Sequence, residues 1–247
     1  MSRVDQALVE RGLCESREKA KRAILAGQVR INAQLAHKPS DTVRNQDQLA
    51  LDVPEKFVSR GGHKLEHALA HFQIHVAGQA AIDLGASTGG FTDCLLQQGA
   101  TKVFAIDVGH GQLAWKLRQD PRVVVMEKTN GRTLTPSQFP QPFSRAEIVV
   151  IDCSFISLRM ILPAAIALLR PSGKVVALLK PQFEAGKTEV DKGAGVITDP
   201  AIHARVLEEI QFFVREKTSL LWRGQVESPL LGPAGNKEFL ILLEKAT

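Results

Sequence analysis

The chain of 247 residues, 44% of them hydrophobic, is long enough for one large buried core, or for a large domain joined to a small one. Its net charge of +5 is a mild basic excess that fits an RNA partner but also an ordinary enzyme. Cys14, Cys94 and Cys153 are far apart and lack CxxC spacing, and the longest apolar run, Met160 to Leu169, is broken by Pro163 at about half of the ~20 residues a membrane span needs. These features argue against a disulfide framework, a zinc ribbon and a membrane helix, and with no secretory signal at the N-terminus a soluble cytoplasmic protein is expected.

Residues 3–12 read as an amphipathic helix, with Val4, Ala7, Leu8 and Arg11 at helical spacing and Gly12 as its stop. A second helix is capped by Ser16, with Glu18 in its first turn. Its apolar face of Ala20, Ala23 and Ile24 leaves Arg17, Lys19, Lys21 and Arg22 largely on the other side, and Gly27 ends it. Val29 to Asn32 and Leu49 to Leu51 read as short strands around a turn. Residues 1–60 carry 11 Lys/Arg against 8 Asp/Glu and so hold +3 of the net charge; a basic face alone is more often solvated than functional. The stretch from Asp52 to Gly62, with Pro54 and the Gly61-Gly62 pair, marks a linker. The expected division is a domain at 1–53, a linker at 54–62 and a domain at 63–247.

A helix from His63 to Phe72 carries His63, His67 and His71, with His75 just beyond. Four-residue spacing drifts by about 40° per step, so only neighbours share a face, and no cysteine or carboxylate cluster joins them: no metal site is expected. The run Ala80 to Ile82 ends in Asp83, turns through Gly85, Gly89 and Gly90, and enters a helix before a second apolar run ends in Asp107. Strand, Gly-rich turn, helix and strand make a nucleoside half-site, in which Asp107 can accept both hydroxyls of a ribose. The string GASTGG from Gly85 to Gly90 has Ser87 where a dinucleotide fingerprint needs its second glycine, which argues against a pyrophosphate ligand.

Further on, Gly109 to Gln112 leads into a helix with Leu113, Trp115 and Leu117, and Arg122 to Met126 is a strand followed by Glu127 to Asn130. Ala146 to Ile151 is a strand ending in Asp152, and Ser157 to Leu169 a helix kinked or started late at Pro163. Lys174 to Leu179 is a strand ending in Lys180-Pro181. Asp199-Pro200 opens a helix to about Glu216, and strands at 220–227 and 239–243 flank the turn Gly232 to Gly235. Glu184-Ala185-Gly186-Lys187-Thr188 imitates a P-loop, but Pro181 stands in place of its first glycine and no helix is expected directly after it. Gly186, Gly193 and Gly195 instead suggest a mobile loop over a substrate. Strands alternating with helices and then a hairpin imply a mostly parallel sheet with one antiparallel strand. Ligands sit over the strand ends in such sheets, so Asp83, Asp107, Asp152 and Lys180 should face one site, as a catalytic set or as a structural ion pair.

The order Asp83-x-Gly85 followed by paired glycines resembles the first motif of class I S-adenosylmethionine-dependent methyltransferases. That implies an α/β Rossmann-like seven-stranded sheet with the last strand antiparallel. The intervals of Arg3, Leu8, Ser16-Arg17, Ala20, Gly27, Val29 and Asn32 resemble the small α+β RNA-binding module first described in ribosomal protein S-four. This implies phosphate contacts at Arg3, Arg17, Lys19, Lys21 and Arg22, joined by Arg60. Ser59 to Leu65 (SRGGHKL), Asp83 to Phe91 (DLGASTGGF), Ile151 to Leu158 (IDCSFISL) and Leu179 to Glu184 (LKPQFE) together resemble the TlyA family over essentially the whole chain. That family is similar to the FtsJ-type ribosomal RNA 2'-O-methyltransferases.

The resemblance implies S-adenosylmethionine held by Asp83, Gly85, Ser87, Thr88, Gly89, Gly90, Phe91, Asp107, Asn130 and Asp152. It places the family's Lys-Asp-Lys-Glu set on Lys64, Asp152, Lys180 and Glu238. The sulfonium already activates the methyl group, so Lys180 would take the proton of a ribose hydroxyl, Asp152 and Glu238 would orient the lysines, and Lys64 would fix the ribose. The implied acceptor is a cytidine in ribosomal RNA or a ribosomal subunit, with the protein acting as a monomer. Family members that modify both subunits carry extra basic residues at the N-terminus, whereas this chain starts at Ser2-Arg3-Val4, which points to the large subunit.

Three alternatives stand beside this reading. Asp152-Cys153-Ser154-Phe155 is distantly like the [DN]PP[YF] motif of base-directed methyltransferases, but lacks both prolines, and Cys153 lacks the Pro-Cys order of the covalent route to cytosine. The family's haemolysin label implies a membrane-active protein, yet no long cationic amphipathic helix with an aromatic face is present. A non-catalytic RNA-binding protein would have no need of the intact Lys-Asp-Lys-Glu set.

Overall fold

The structure, a computed structural model, describes residues 1–52 and 55–247. Val53 and Pro54, where the expected first domain ends and the expected linker begins, lie outside the described residues. The chain divides into two compact units, Met1–Lys56 and Phe57–Thr247.

The first unit contains β1 (Ser2–Arg3), α1 (Val4–Glu10), α2 (Arg17–Leu25), β2 (Val29–Ile31), β3 (Gln34–Leu35), β4 (Thr42–Val43) and β5 (Leu49–Leu51). Arg3 is not in the first helix, as its spacing suggests, but in a strand that pairs antiparallel with Thr42. Ser16 caps α2 by accepting the Lys19 N–H at 3.3 Å. β2 forms the middle of a three-stranded antiparallel sheet between β3 and β5. Val4, Ala7 and Leu8 of α1 close on Ala20 and Ile24 of α2 and on Val29 and Val43, a small core of fully or nearly fully buried side chains. β3 and β4 are too short to leave an alternation in the sequence.

Asp5 is buried beneath this unit's surface and receives Arg3 Nε at 3.0 Å and Arg17 Nη2 at 2.9 Å. Burial pushes its carboxyl up, but the bonds from Arg3 and Arg17 outweigh burial and leave it at about 2. Two expected RNA contacts are thereby held side by side.

The second unit runs α3 (Gly61–His71), β6 (Ala80–Leu84), α4 (Gly90–Gln97), β7 (Lys102–Ile106), α5 (Trp115–Arg118), β8 (Val123–Met126), β9 (Ala146–Ile151), α6 (Leu158–Leu168), β10 (Leu169–Leu179), α7 (Pro181–Glu184), α8 (Lys187–Lys192), α9 (Pro200–Lys217), β11 (Leu220–Glu227) and β12 (Phe239–Lys245). Its seven strands lie in the order β11-β12-β10-β9-β6-β7-β8. β12 is antiparallel to both β10 and β11, while β10, β9, β6, β7 and β8 pair in parallel, which is the class I methyltransferase arrangement.

Side chains alternate across the sheet. Ile82 and Leu84 of β6 enter one core with Leu162 of α6 and Val206 of α9; Ala81 enters the other with Leu65 and Leu69 of α3 and Leu95 of α4. A fully buried side chain of this size contributes about 1.5–3 kcal/mol, so both faces are strongly specified.

Four local expectations are corrected. α3 begins at Gly61, inside the expected linker. α6 runs through Pro163 without restarting, started instead by the Ser157 cap. β10 begins at Leu169 because α6 passes into it directly, with a register irregularity before Lys174. The segment after Lys180 is not an open loop but the short helices α7 and α8. A helix does follow this segment, contrary to expectation, so Pro181 in place of the first glycine is the one departure from a P-loop that remains.

Candidate active site

The parallel strands end side by side. Asp107 follows β7, Asp152 follows β9, where its N–H donates to Leu84 O at 3.0 Å, and Lys180 follows β10. Two adjoining cavities of about 280 and 400 Å³ open over these ends and share Gly85, Ser87, Asp152 and Ser154.

Lys64, Asp152, Lys180 and Glu238 all line the smaller cavity, together with Arg60. Lys64 lies on the face of α3 that also buries Leu65, Ala68 and Leu69, so packing of the helix aims it at the strand ends. Its Nζ is 2.5 Å from Glu238 Oε2, just before β12. Lys180 Nζ lies 2.6 Å from Asp152 Oδ1, an electrostatic contact, and donates a hydrogen bond to Ser154 Oγ at 3.0 Å. Both lysines are 8% exposed and Glu238 1%. Buried ammonium groups are rare without partners, and here each has its own carboxylate.

The larger cavity opens beside the Gly-rich turn, where a nucleoside is expected. Its size suits such a ligand, and Asp107, Gln112, Asn130 and Ile161 line it. Asp107 is aimed by the backbone: Ser87 N–H donates to Oδ2 at 2.8 Å and Gly109 N–H to Oδ1 at 2.7 Å. Each oxygen keeps a lone pair for a ligand hydroxyl. Asn130 caps a 3₁₀ turn by accepting the Arg132 N–H. Gly85 adopts φ +87°, and a Cβ there would come within 2.6 Å of Asp152 O, so the position needs glycine twice over. Thr88, Gly90 and Phe91 face the smaller cavity. Because Asp107 lines the larger cavity with both oxygens held by backbone N–H groups, Asp107→Ala is expected to weaken S-adenosylmethionine binding roughly 10- to 100-fold in a calorimetric titration.

Asp83 and Gly89 lie behind the cavity walls. Gly89 packs where a Cβ would strike Leu117 and Leu113. Asp83 is fully buried in β6, its Oδ2 accepting the Thr92 hydroxyl at 2.7 Å and its Oδ1 without a hydrogen-bond partner. Burial above all, with Asp152 and Asp107 adding repulsion, pushes its carboxyl up to about 7. Folding therefore opposes ionisation. This group's stabilising contribution is full below pH 4 and declines as pH rises to about 7, beyond which a constant penalty remains, at most about 4 kcal/mol. Asp83→Asn should accordingly flatten the fall in unfolding free energy between pH 4 and pH 7 in urea titrations.

In the first unit, Lys19 pairs with Glu15 and Lys21 with Glu18, and exposed Arg22 has no ion-pair partner among the described residues. Exposed pairs of this kind are worth only about 0.2–1 kcal/mol and exchange readily for a phosphate. On α3, the His67 and His71 rings stack at 6.2 Å. Among the described residues, no three His, Cys, Asp or Glu side chains gather as metal ligands.

Sequence reasoning did not assign roles to Ser154, Phe155 or Asn236. Phe155 is 91% exposed, sits at φ +62° and borders the larger cavity. A large exposed ring in a strained backbone state beside a site is a functional signal. Asn236 ties the turn before β12 to the 195–197 segment, accepting the Ile197 N–H at 2.9 Å and donating to Gly195 O at 2.9 Å.

Comparison with known proteins agrees with the fold of both units. The FtsJ-like methyltransferase family matches residues 57–245, and an S4 domain matches residues 2–49. The chain is 47% identical over 250 residues to the 16S/23S rRNA (cytidine-2'-O)-methyltransferase TlyA of Mycobacterium tuberculosis, covering 100% of this chain and 91% of the relative. It is 39% identical over 243 residues to hemolysin A of Brachyspira hyodysenteriae, covering 96% and 98%. A solved structure from Streptococcus thermophilus, described as a suspected hemolysin, is 45% identical with a TM-score of 0.75 and covers 99% of this chain and 88% of that one.

Proposed function

Because the chain belongs to the FtsJ-like methyltransferase family and carries an S4 domain ahead of that region, we propose that it transfers a methyl group from S-adenosylmethionine to the 2'-hydroxyl of a cytidine in ribosomal RNA. One observation carries this reading: two lysine–carboxylate pairs, in which both lysines and Glu238 are buried and Asp152 is half-buried, line one cavity, and that cavity adjoins one of nucleoside size. Base-directed chemistry has no use for the pair of lysines.

When bound, S-adenosylmethionine supplies a methyl group already activated by its sulfonium. The work left to the chain is alignment and proton removal. Asp107 accepts the donor's ribose hydroxyls, and Gly85 lets the donor approach the backbone. In its unprotonated form Lys180 takes the proton of the acceptor hydroxyl, aimed by Asp152 and Ser154. Lys64, held by Glu238, fixes the acceptor ribose. The exposed Phe155 ring offers a face on which an unstacked base can rest. Arg3, Arg17, Lys19, Lys21 and Arg22 of the first unit, together with Arg60, supply phosphate contacts, which position RNA without reading its sequence.

The hemolysin relative raises a membrane-active alternative. Among the described residues, no helix is long and apolar enough to cross a membrane. Purified protein should leave dye-loaded liposomes intact, whereas lysis without S-adenosylmethionine would favour that alternative.

The proposal is tested by incubating the protein with labelled S-adenosylmethionine and purified large subunits, small subunits or protein-free ribosomal RNA. The mycobacterial relative is named for both subunits, so both belong in the trial. Incorporation approaching one methyl group per particle on at least one substrate is expected; none on any of them would refute it.

A further inference from the structure

Glu184 is the carboxylate that the catalytic assignment leaves over. It closes α7, the short helix that Lys180 opens. Its Oε2 accepts the Ser157 hydroxyl at 2.5 Å, and its Oε1 accepts the Leu158 N–H at 2.6 Å. Both donors stand at the start of α6, where Ser157 Oγ already accepts the Arg159 N–H at 3.2 Å. α6 thus has a cap of its own, and what Glu184 adds is a link to another segment. Burial pushes its carboxyl above the usual range, and only the bonds from Ser157 and Leu158, with the Arg159 charge, oppose that.

The link joins the two strand-end segments that supply the catalytic pair. One is the β9–α6 loop with Asp152, Ser154 and strained Phe155; the other is Lys180 with α7. At the near end Lys180 meets Asp152 and Ser154. Midway the Phe155 and Phe183 rings lie 5.2 Å apart. At the far end Glu184 grips Ser157 and Leu158. A loop held only at its near end can swing; one held at both ends fixes the direction in which Lys180 points.

We propose that Glu184 is a positioning residue for methyl transfer: through Ser157 and Leu158 it fixes the β9–α6 loop, so that Asp152 and Ser154 hold Lys180 on the acceptor hydroxyl. This rests on Lys180 being the base. A misplacement of about 1 Å in such a group lowers turnover by roughly 100-fold, which sets the scale of the effect.

The test uses the full chain, ribosomal RNA substrate and the variants Glu184→Ala, Glu184→Gln, Ser157→Ala and Glu184→Ala/Ser157→Ala. Glu184→Ala should lower kcat roughly 10- to 100-fold while RNA KM stays within about threefold, and donor Kd, read separately because the same loop lines the larger cavity, should rise by much less than kcat falls. Glu184→Gln, which can still accept the Leu158 N–H, should recover part of the loss. The double variant should be no worse than Glu184→Ala, because both changes break one link. If Glu184→Ala does not fold, Ser157→Ala removes one hydroxyl, which serves both the α6 cap and the Glu184 link, and should lower kcat by roughly threefold or more, with a smaller change in donor Kd. A kcat within threefold of the parent for the folded Glu184 variants, a loss shared equally by donor binding and RNA KM, or additive effects in the double variant would overturn the proposal. Activity retained in Lys180→Ala would instead overturn the assignment of the base, whatever the Glu184 variants do.

Discussion

Replacing Lys180 with alanine is expected to slow methyl transfer by roughly 100- to 10,000-fold, the usual contribution of a positioned base, and to leave S-adenosylmethionine binding within about twofold. The separation follows from the geometry. Lys180 lines the smaller cavity, with Lys64 and Glu238, and is not on the wall of the nucleoside cavity. Lys180→Arg should be almost as inactive. Arginine keeps the charge beside Asp152 but does not shed its proton, so this variant separates the base role from the ion pair. Calorimetry with the donor and single-turnover transfer to RNA, run on the same preparations, read the two effects independently.

The second large effect is expected at Gly85. Gly85→Ala places a side chain at φ +87°, which costs about 1–2 kcal/mol, and sets its Cβ 2.6 Å from Asp152 O, so the backbone must move. Gly85 and Asp152 both lie on the seam between the two cavities. Donor affinity should therefore fall at least about 100-fold, with transfer reduced further at saturating donor because Asp152 is displaced from Lys180. Gly78→Ala supplies the control. Its φ of +80° is just as unfavourable, but nothing lies within 4 Å of the added Cβ, and the position is remote from both cavities. That variant should lose about 1 kcal/mol of stability and keep its donor affinity.

The parts of the fold legible in the sequence are those where one local signal decides. Apolar runs ending in Asp107, Asp152 and Lys180 mark strand ends, and parallel pairing brings those ends together without help from elsewhere. Ser16 and Asp199 announce their helices because a cap acts within three residues. Where tertiary packing decides, the sequence is silent. Asp83 looks like Asp107, each ending an apolar run before glycine or a polar turn, yet alternation in β6 turns Asp83 inward against Thr92 while Asp107 follows the strand onto the wall. α7 and α8 span four and six residues, too few to show a 3.6-residue period, so they resemble a loop. Pro163 looks like a helix breaker, but the surrounding Ile161, Leu162 and Ala165 are buried tightly enough to carry α6 through it. The two lysines were legible only through the motifs around them, since nothing in the periodicity places Lys64 opposite Glu238 across 174 positions of chain.

The atom that receives the methyl group separates ribose from base chemistry. Ribosomal RNA methylated by this protein, digested to nucleosides and resolved by mass spectrometry, should yield 2'-O-methylcytidine, with the added mass on the ribose fragment. The added mass on the base fragment instead would contradict the roles given to Lys64, Asp152, Lys180 and Glu238.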